Sequence, residues 1–390
     1  MKQTIIVAGL SAASMAFITK LRSFDKESEI IAFSAEKDFP YNRCFLADYL
    51  TQDSELKDIE LKPKNFFLEN NIQVFFDTRI DKIDPKNNQV FAQEKTYTYD
   101  YLFLGIGTRP FIPTSFKNID LAGVFTFHTL EDMNKITKFI DTHNPKSAVV
   151  IGAGLNGVEA VSSLAKKGLS VAVIEAQKTI LPGQVDHEVA KWVADKARYQ
   201  GVTILEENKV VSICGDLNRQ VSGVKLETGT RIATEMLIIA AGSALNHEIL
   251  DNIGIQLKNG SVVVNSNMRT SIPNILAGGD ICAAPDMITK KLTRSTTWSD
   301  AMLQGLCAAT TLGSTPRAYP GMVGLRDSYF FGKEFYACGQ TNGTLGYQRV
   351  VSKATDEDLE ILFMQDDLLK GFILIGDVSR VAELKRLYLS

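Results

Sequence analysis

Residues 147–175 read SAVVIGAGLNGVEAVSSLAKKGLSVAVIE, in order a strand, a tight turn, a helix and a second strand. Gly152, Gly154 and Gly157 form G-x-G-x-x-G directly after the apolar run Val149, Val150, Ile151, and Glu175 closes the next apolar run. Each part has a physical task. The first glycine makes the turn, the second lets backbone approach a pyrophosphate, and the third lets the helix pack closely on its strand. The helix N-terminus then faces the phosphates, and the acid accepts from a ribose 2′-hydroxyl. A carboxylate there repels the extra phosphate of NADP, so the segment predicts a site for NADH.

This site lies deep inside the chain. At 390 residues the sequence exceeds what one hydrophobic core supports, so two or three domains are expected. It is 45% hydrophobic and 22% charged, with 42 Lys and Arg against 45 Asp and Glu. Such a balance, without runs of like charge, predicts no nucleic-acid surface. Cys44, Cys214, Cys282, Cys307 and Cys338 are scattered without a C-x-x-C. That spacing predicts no metal site and fits a reducing, cytoplasmic setting better than a disulfide framework. Lys2 followed by the apolar residues 5–18 imitates a signal peptide, but it reads better as a buried strand, a turn and a helix. No apolar run reaches 18 residues, so no membrane span is expected.

The N-terminal segment is itself an altered dinucleotide fingerprint. After the strand residues 5–8 come Gly9, Leu10, Ser11, Ala12, Ala13 and Ser14, then a second strand at 29–33, and Glu36 shortly after it. Serines occupy two of the three glycine positions. Serine at the middle position adds a side chain where backbone should approach a pyrophosphate, although its hydroxyl is also able to donate to a phosphate oxygen. Three more strand ends in small residues follow: residues 99–108 with Gly107, residues 236–242 with Gly242, and residues 275–280 ending in Gly278, Gly279, Asp280. In this order the motifs resemble the two-dinucleotide-binding-domain flavoproteins, the pyridine nucleotide–disulfide reductase superfamily, over residues 1–312.

The resemblance implies an α/β fold of two Rossmann-like domains, the NAD-binding domain inserted in the FAD-binding one, with a small α+β C-terminal domain. The expected division is 1–112 and 243–312 for FAD, 113–242 for NADH, and 313–390 for the C-terminal interface domain. Carried over by position, Gly9, Ser11 and Ser14 lie at the FAD pyrophosphate and Glu36 near the adenosine ribose. Gly107, Gly242 and Gly279 line the cofactor sites, Asp280 bonds the ribitol or pyrophosphate region, and the helix starting near Trp298 points at the isoalloxazine. Gly152, Gly154, Gly157 and Glu175 hold NADH, with Glu159 where nicotinamide meets flavin. Asp280 has a plainer reading as a turn cap, and Glu159 as a solvated helix acid.

What takes the electrons after NADH reduces FAD is addressed by residues 39–50, FPYNRCFLADYL. Their Tyr-Asn-Arg-x-x-Leu pattern is similar to nitrite reductase flavoproteins and rubredoxin reductases, which implies an electron-acceptor protein or a small acceptor. Cys44 falls where CoA-disulfide reductases and NADH oxidases or peroxidases keep a redox thiol. In the first reading Cys44 is a small buried hydrophobe. In the second it is a catalytic thiolate favoured by Arg43 and a helix start. The ferredoxin reductases of the superfamily carry Lys where this chain has Asp48, beside the helix acid. With Asp48 and Glu159 buried together, one of them is expected to hold its proton. A third reading is an electron-entry or binding subunit of a larger complex.

After the apolar helix at 301–312, Gly313, Ser314, Thr315 and Pro316 read as a linker. Strand-like runs at 329–331, 346–351, 359–364 and 371–375, then a helix at 379–389, predict a small antiparallel sheet. The related disulfide reductases dimerise through this domain. Here its shortness favours a monomer or attachment to another subunit in a larger complex over a homodimer. Phe330, Phe331, Phe335 and Tyr336 read as the core of this sheet rather than as an interface patch.

Overall fold

In the computed structural model, which describes residues 2–287, 290–343 and 345–389, the apolar runs quoted above become central strands of two parallel sheets. The chain divides into two units, and each holds one of these sheets.

One unit comprises Met1–Asn42, Lys57–Arg109 and Ala244–Gly324. Its parallel sheet runs Ile275–Ala277, Tyr101–Leu104, Thr4–Ala8, Glu29–Phe33, Ile72–Phe75. Strands covered on both faces need continuous apolar sequence, and Ile5, Ile6, Val7 and Ala8 are all buried. Two helices, Ala12–Arg22 and Trp298–Thr310, pack against each other. Phe17 of the first stacks on Phe103 of the sheet, ring centroids 4.3 Å apart. Small residues let the two helices close on one another. A Cβ on Gly305 would stand 2.0 Å from the carbonyl oxygen of Ala13.

The second unit comprises Arg43–Leu56, Pro110–Ser243 and Leu325–Ser390. Its parallel sheet runs Thr203–Leu205, Ser170–Ile174, Ser147–Ile151, Met236–Ile239, Val124–Thr126, with Ile151 level with Ile174 and Ile239. Helix Leu130–His143 starts on a reciprocal capping box between Thr129 and Asp132, and His187–Tyr199 on Asp186, which accepts from the Val189 N–H. Residues 43–56, grouped with the N-terminal segment in the sequence-based division, pack here instead. Arg43 Nη1 donates to the His128 carbonyl at 2.7 Å, Tyr49 OH donates to Asn134 Oδ1 at 2.9 Å, and Asp53 pairs with Lys166 at 2.5 Å.

The C-terminal sheet has five antiparallel strands, ordered Arg326–Phe330, Lys333–Gly339, Leu368–Ile375, Leu359–Gln365, Gln348–Ala354, followed by helix Val381–Leu389. The sequence reading of four strand runs missed Lys333–Gly339. It also carried the preceding strand into what is a turn. Phe331 and Gly332 both take positive φ, 52° and 78°, the backbone of a tight hairpin connection. Phe330, Phe331 and Phe335 are buried, as the core reading expects, and Tyr336 is half-buried. Among the described residues, no helix is long and apolar enough to cross a membrane.

Gly305→Ala tests the helix crossing. The added methyl has no room against the Ala13 backbone, so overpacking of about 1–3 kcal/mol outweighs the roughly 1 kcal/mol that alanine gains in helix propensity. Thermal denaturation should show a lower melting temperature for the variant. An unchanged or higher value would contradict this packing.

Candidate functional site

The G-x-G-x-x-G turn is built as its spacing requires. Gly152 takes φ 96°, and a Cβ on it would lie 2.4 Å from the Ala240 carbonyl oxygen. A Cβ on Gly157 would lie 2.0 Å from the Gly152 carbonyl oxygen, so the helix can approach its strand only with glycine here. Gly154 is the N-cap of helix Leu155–Lys166 and supplies no side-chain cap, which leaves the first helical N–H groups for another acceptor. Glu175 is buried at 6% exposure, and its two oxygens accept from the N–H groups of Ala153 at 2.7 Å and Gln177 at 2.8 Å. Its carboxylate therefore ties the second strand's end to the glycine turn, and each oxygen keeps a further lone pair for a ribose hydroxyl. The sequence reading missed Gln184. Its Nε2 is 3.7 Å from where a Cβ on Gly154 would be, its Oε1 is buried without a partner, and its carbonyl accepts from Thr341 Oγ1 at 2.6 Å.

The first fingerprint has the same frame with altered contents. Gly9 has φ 86°, and a Cβ there would meet the Gly105 carbonyl oxygen at 2.3 Å. Ser11 is the N-cap of helix Ala12–Arg22 and makes no side-chain cap hydrogen bond. Ser14 is not at the surface of the turn. It is 1% exposed, and its Oγ lies 2.1 Å from where a Cβ on Gly105 would be. Serine at the third glycine position is accommodated because the facing strand end is itself glycine. Glu36, after the second strand, is half-buried and accepts from Tyr41 OH at 2.6 Å.

These two helices differ from Leu130–His143, His187–Tyr199 and Trp298–Thr310, each of which starts on a side-chain cap. Uncapped helix starts behind strict glycine turns are what bound pyrophosphates fit, and there is one such start in each unit.

Asp280 is half-buried in the turn after Ile275–Ala277, and the Gly279 N–H donates to Gln304 Oε1 at 2.7 Å. Gln304 itself is 1% exposed. Trp298 opens its helix half-buried, behind Thr297, which caps the Asp300 N–H. Asp300 is 2% exposed and is surrounded by donors, including Ser295 Oγ at 2.7 Å and Thr297 Oγ1 at 2.9 Å. A Cβ on Gly107 or on Gly242 would meet nothing within 4 Å, so these two strand ends are open.

Cys44 sits in the 3-10 turn Arg43–Phe45 and is exposed, which corrects the reading of it as a buried hydrophobe. Cys282, Cys307 and Cys338 are buried and Cys214 is half-buried, short of the packed position expected for it. Burial and the charge of Asp280 push the Cys282 thiol up, away from thiolate character.

Glu159 and Asp48 do face one another electrostatically. Burial and the negative charges of Asp48 and Asp327 push the Glu159 carboxyl up to about 7, while the Ser328 hydroxyl, donating to Oε1 at 2.5 Å, opposes that rise. Asp48 is also raised, by burial and by Asp53, with Lys166 opposing. Ser328 was not legible as a site residue, because only the register of the C-terminal sheet brings it here. Among the described residues no three His, Cys, Asp or Glu side chains gather as a metal site.

Comparison with known proteins adds the family. Residues 3–305 match the pyridine nucleotide-disulphide oxidoreductase family. An NADH oxidase of Methanocaldococcus jannaschii is 31% identical over 97% of this chain and 88% of its own length. A nitrite reductase [NAD(P)H] of Bacillus subtilis is 29% identical over 97% of this chain, which spans only 46% of that protein. In three dimensions the chain is similar to a solved covalent putidaredoxin reductase–putidaredoxin complex, with a TM-score of 0.91 at 23% identity, covering 99% of this chain and 93% of that one.

The raised Glu159 carboxyl has a consequence for stability. Its contribution is fully present below the ordinary carboxyl range and is lost as pH rises through about 7. Glu159→Gln should match the parent near pH 4.5 and exceed it at pH 8 by on the order of 1–2 kcal/mol in chemical denaturation. An equal difference at both pH values would contradict the assignment.

Proposed function

The chain belongs to the pyridine nucleotide-disulphide oxidoreductase family and is an FAD-dependent oxidoreductase that takes electrons from NADH, and we propose that it hands them to an electron-acceptor protein or a small acceptor. One observation carries the reading: each unit has one uncapped helix start behind a turn that only glycine can make. In this reading Gly9, Ser11 and Ser14 lie at the FAD pyrophosphate, Glu36 at its ribose, and Asp280 at the ribitol or pyrophosphate region, with Gly107, Gly279 and Trp298 around the flavin. Gly152, Gly154, Gly157 and Glu175 hold NADH, Gly242 lines the same half, and Glu159 lies beside the nicotinamide. The division at 112, 242 and 312 into FAD, NADH and C-terminal domains, with residues 43–56 packed in the second unit, belongs to the same reading, as does a cytoplasmic setting, supported by five scattered cysteines without a C-x-x-C.

Bound FAD supplies the acceptor for the hydride of NADH. The chain's own contribution is binding and orientation. The two helix starts present N–H donors to pyrophosphate oxygens, and Glu175 presents its carboxylate to a ribose hydroxyl and away from a ribose phosphate. Arg43, bonded to the His128 carbonyl, fixes the turn that carries Cys44.

The exposure of Cys44 supports a second reading, a thiol enzyme of the CoA-disulfide reductase or NADH oxidase kind. The short fraction of the nitrite reductase relative that this chain spans supports the electron-entry subunit of a larger complex.

Two variants separate these readings in steady-state NADH oxidation. Glu175→Ala should raise KM for NADH roughly tenfold, the loss of one hydrogen bond to a charged group, and should shrink the preference for NADH over NADPH. An unchanged preference would mean that another acid selects the cofactor. Cys44→Ser should leave turnover unaltered with protein and small acceptors, whereas loss of most turnover would install the thiol reading.

A further inference from the structure

Three elements meet at Glu159. It lies on helix Leu155–Lys166, two residues past Gly157, and Ser162 follows one helical turn later on the same side. The hairpin of the C-terminal sheet takes hold of both residues. Ser328 Oγ donates to Glu159 Oε1 at 2.5 Å, and the Phe331 N–H donates to Ser162 Oγ at 2.8 Å. On the far side of the same turn the Phe331 carbonyl accepts from Gln200 Nε2 at 3.1 Å. Phe331 is buried and lines one small cavity together with Val158, Val161, Ala197 and Val202. The turn is therefore pinned to two helices, and that pinning sets where Ser328 falls.

The charges around this contact are arranged unusually. Asp48, on the short helix Leu46–Thr51, and Asp327, beside Ser328, both bring negative charge to Glu159. Lys166, at the end of Glu159's own helix, pairs with Asp53 at 2.5 Å, and its charge also reaches Asp48 and Tyr329. The nearby ammonium thus goes to Asp53, and the Glu159 carboxyl receives a neutral hydroxyl.

We propose that Ser328 is a positioning residue for the NADH half of the site, a hydroxyl from the C-terminal sheet that fixes the Glu159 carboxyl. The proposal rests on the reading of Glu159 as the acid beside the nicotinamide. A nicotinamide ring that gives up hydride gains positive charge, and an ionised carboxyl beside it stabilises that charge. Ser328 donates to the ionised form and so favours it, whereas Asp48 and Asp327 disfavour it. The tail thereby sets the pH at which the reductive half-reaction becomes fast.

The test is the rate of flavin reduction by NADH, followed by stopped flow across pH in the FAD-loaded full chain. The parent rate should rise through an inflection near pH 7. Ser328→Ala and Ser328→Val should move that inflection up by roughly one pH unit, the size expected for one lost hydrogen bond to a charged group. Ser328→Thr, which keeps the hydroxyl, should restore it, and Asp48→Asn should move it down. Glu159→Gln should abolish it. If Ser328→Ala and Ser328→Val keep the parent profile while Glu159→Gln loses the inflection, the role of Ser328 is overturned and that of Glu159 stands. A parent profile shared by Glu159→Gln overturns the reading of Glu159 itself.

Discussion

At Gly157 the helix backbone comes so close to the carbonyl of Gly152 that a Cβ would lie 2.0 Å from that oxygen, and at Gly9 the carbonyl of Gly105 sets a similar limit. These approaches bring each helix down onto its strand and aim its uncapped N–H groups at one point in space. Everything proposed for the cofactors depends on that aim. A helix lifted by one methyl group would move the donors by a sizeable fraction of a hydrogen-bond length, and charge-assisted bonds tolerate little such displacement.

The C-terminal sheet takes part in the same arrangement. Arg349 pairs with Asp186 at 2.7 Å and with Glu188 at 2.9 Å, at the start of helix His187–Tyr199, and Trp192 Nε1 donates to the Thr355 carbonyl. Thr341 holds the backbone carbonyl of Gln184, whose side-chain amide lies by Gly154, and Ser328 holds Glu159. Half-buried ion pairs contribute modestly to stability. Their value here is geometric, since they fix the register that places Thr341 and Ser328. Residues 43–56 are held to the same unit by Arg43, Tyr49 and Asp53, so the segment bearing Cys44 and Asp48 is supported at His128 and at the helices Leu130–His143 and Leu155–Lys166.

How much of this the sequence revealed depends on how local each feature is. The second fingerprint and the strands Glu29–Phe33 and Ser170–Ile174 follow from short-range rules of turn and period, and were legible. Why serine fits at position 14 was not legible, because its room comes from Gly105, brought near only when the parallel strands pair. The strand Lys333–Gly339 was missed because the turn before it begins at Phe331, a residue that rarely adopts positive φ and does so here under tertiary packing. Ser328 and Glu159 are 169 positions apart in the chain, and no spacing rule connects them. The Asp48–Glu159 pairing was legible only through the family resemblance, and burial is the leading cause of the rise in both carboxyls.

The central claim is that bound flavin is the sole redox centre between NADH and the acceptor. An anaerobic titration of the air-oxidised, FAD-loaded protein with NADH, followed through the flavin spectrum, tests it most directly. The account predicts full reduction at about one NADH per flavin, without a long-wavelength charge-transfer band. Consumption of about two, with a band that disappears in Cys44→Ser, would contradict it and assign the second electron pair to the Cys44 thiol.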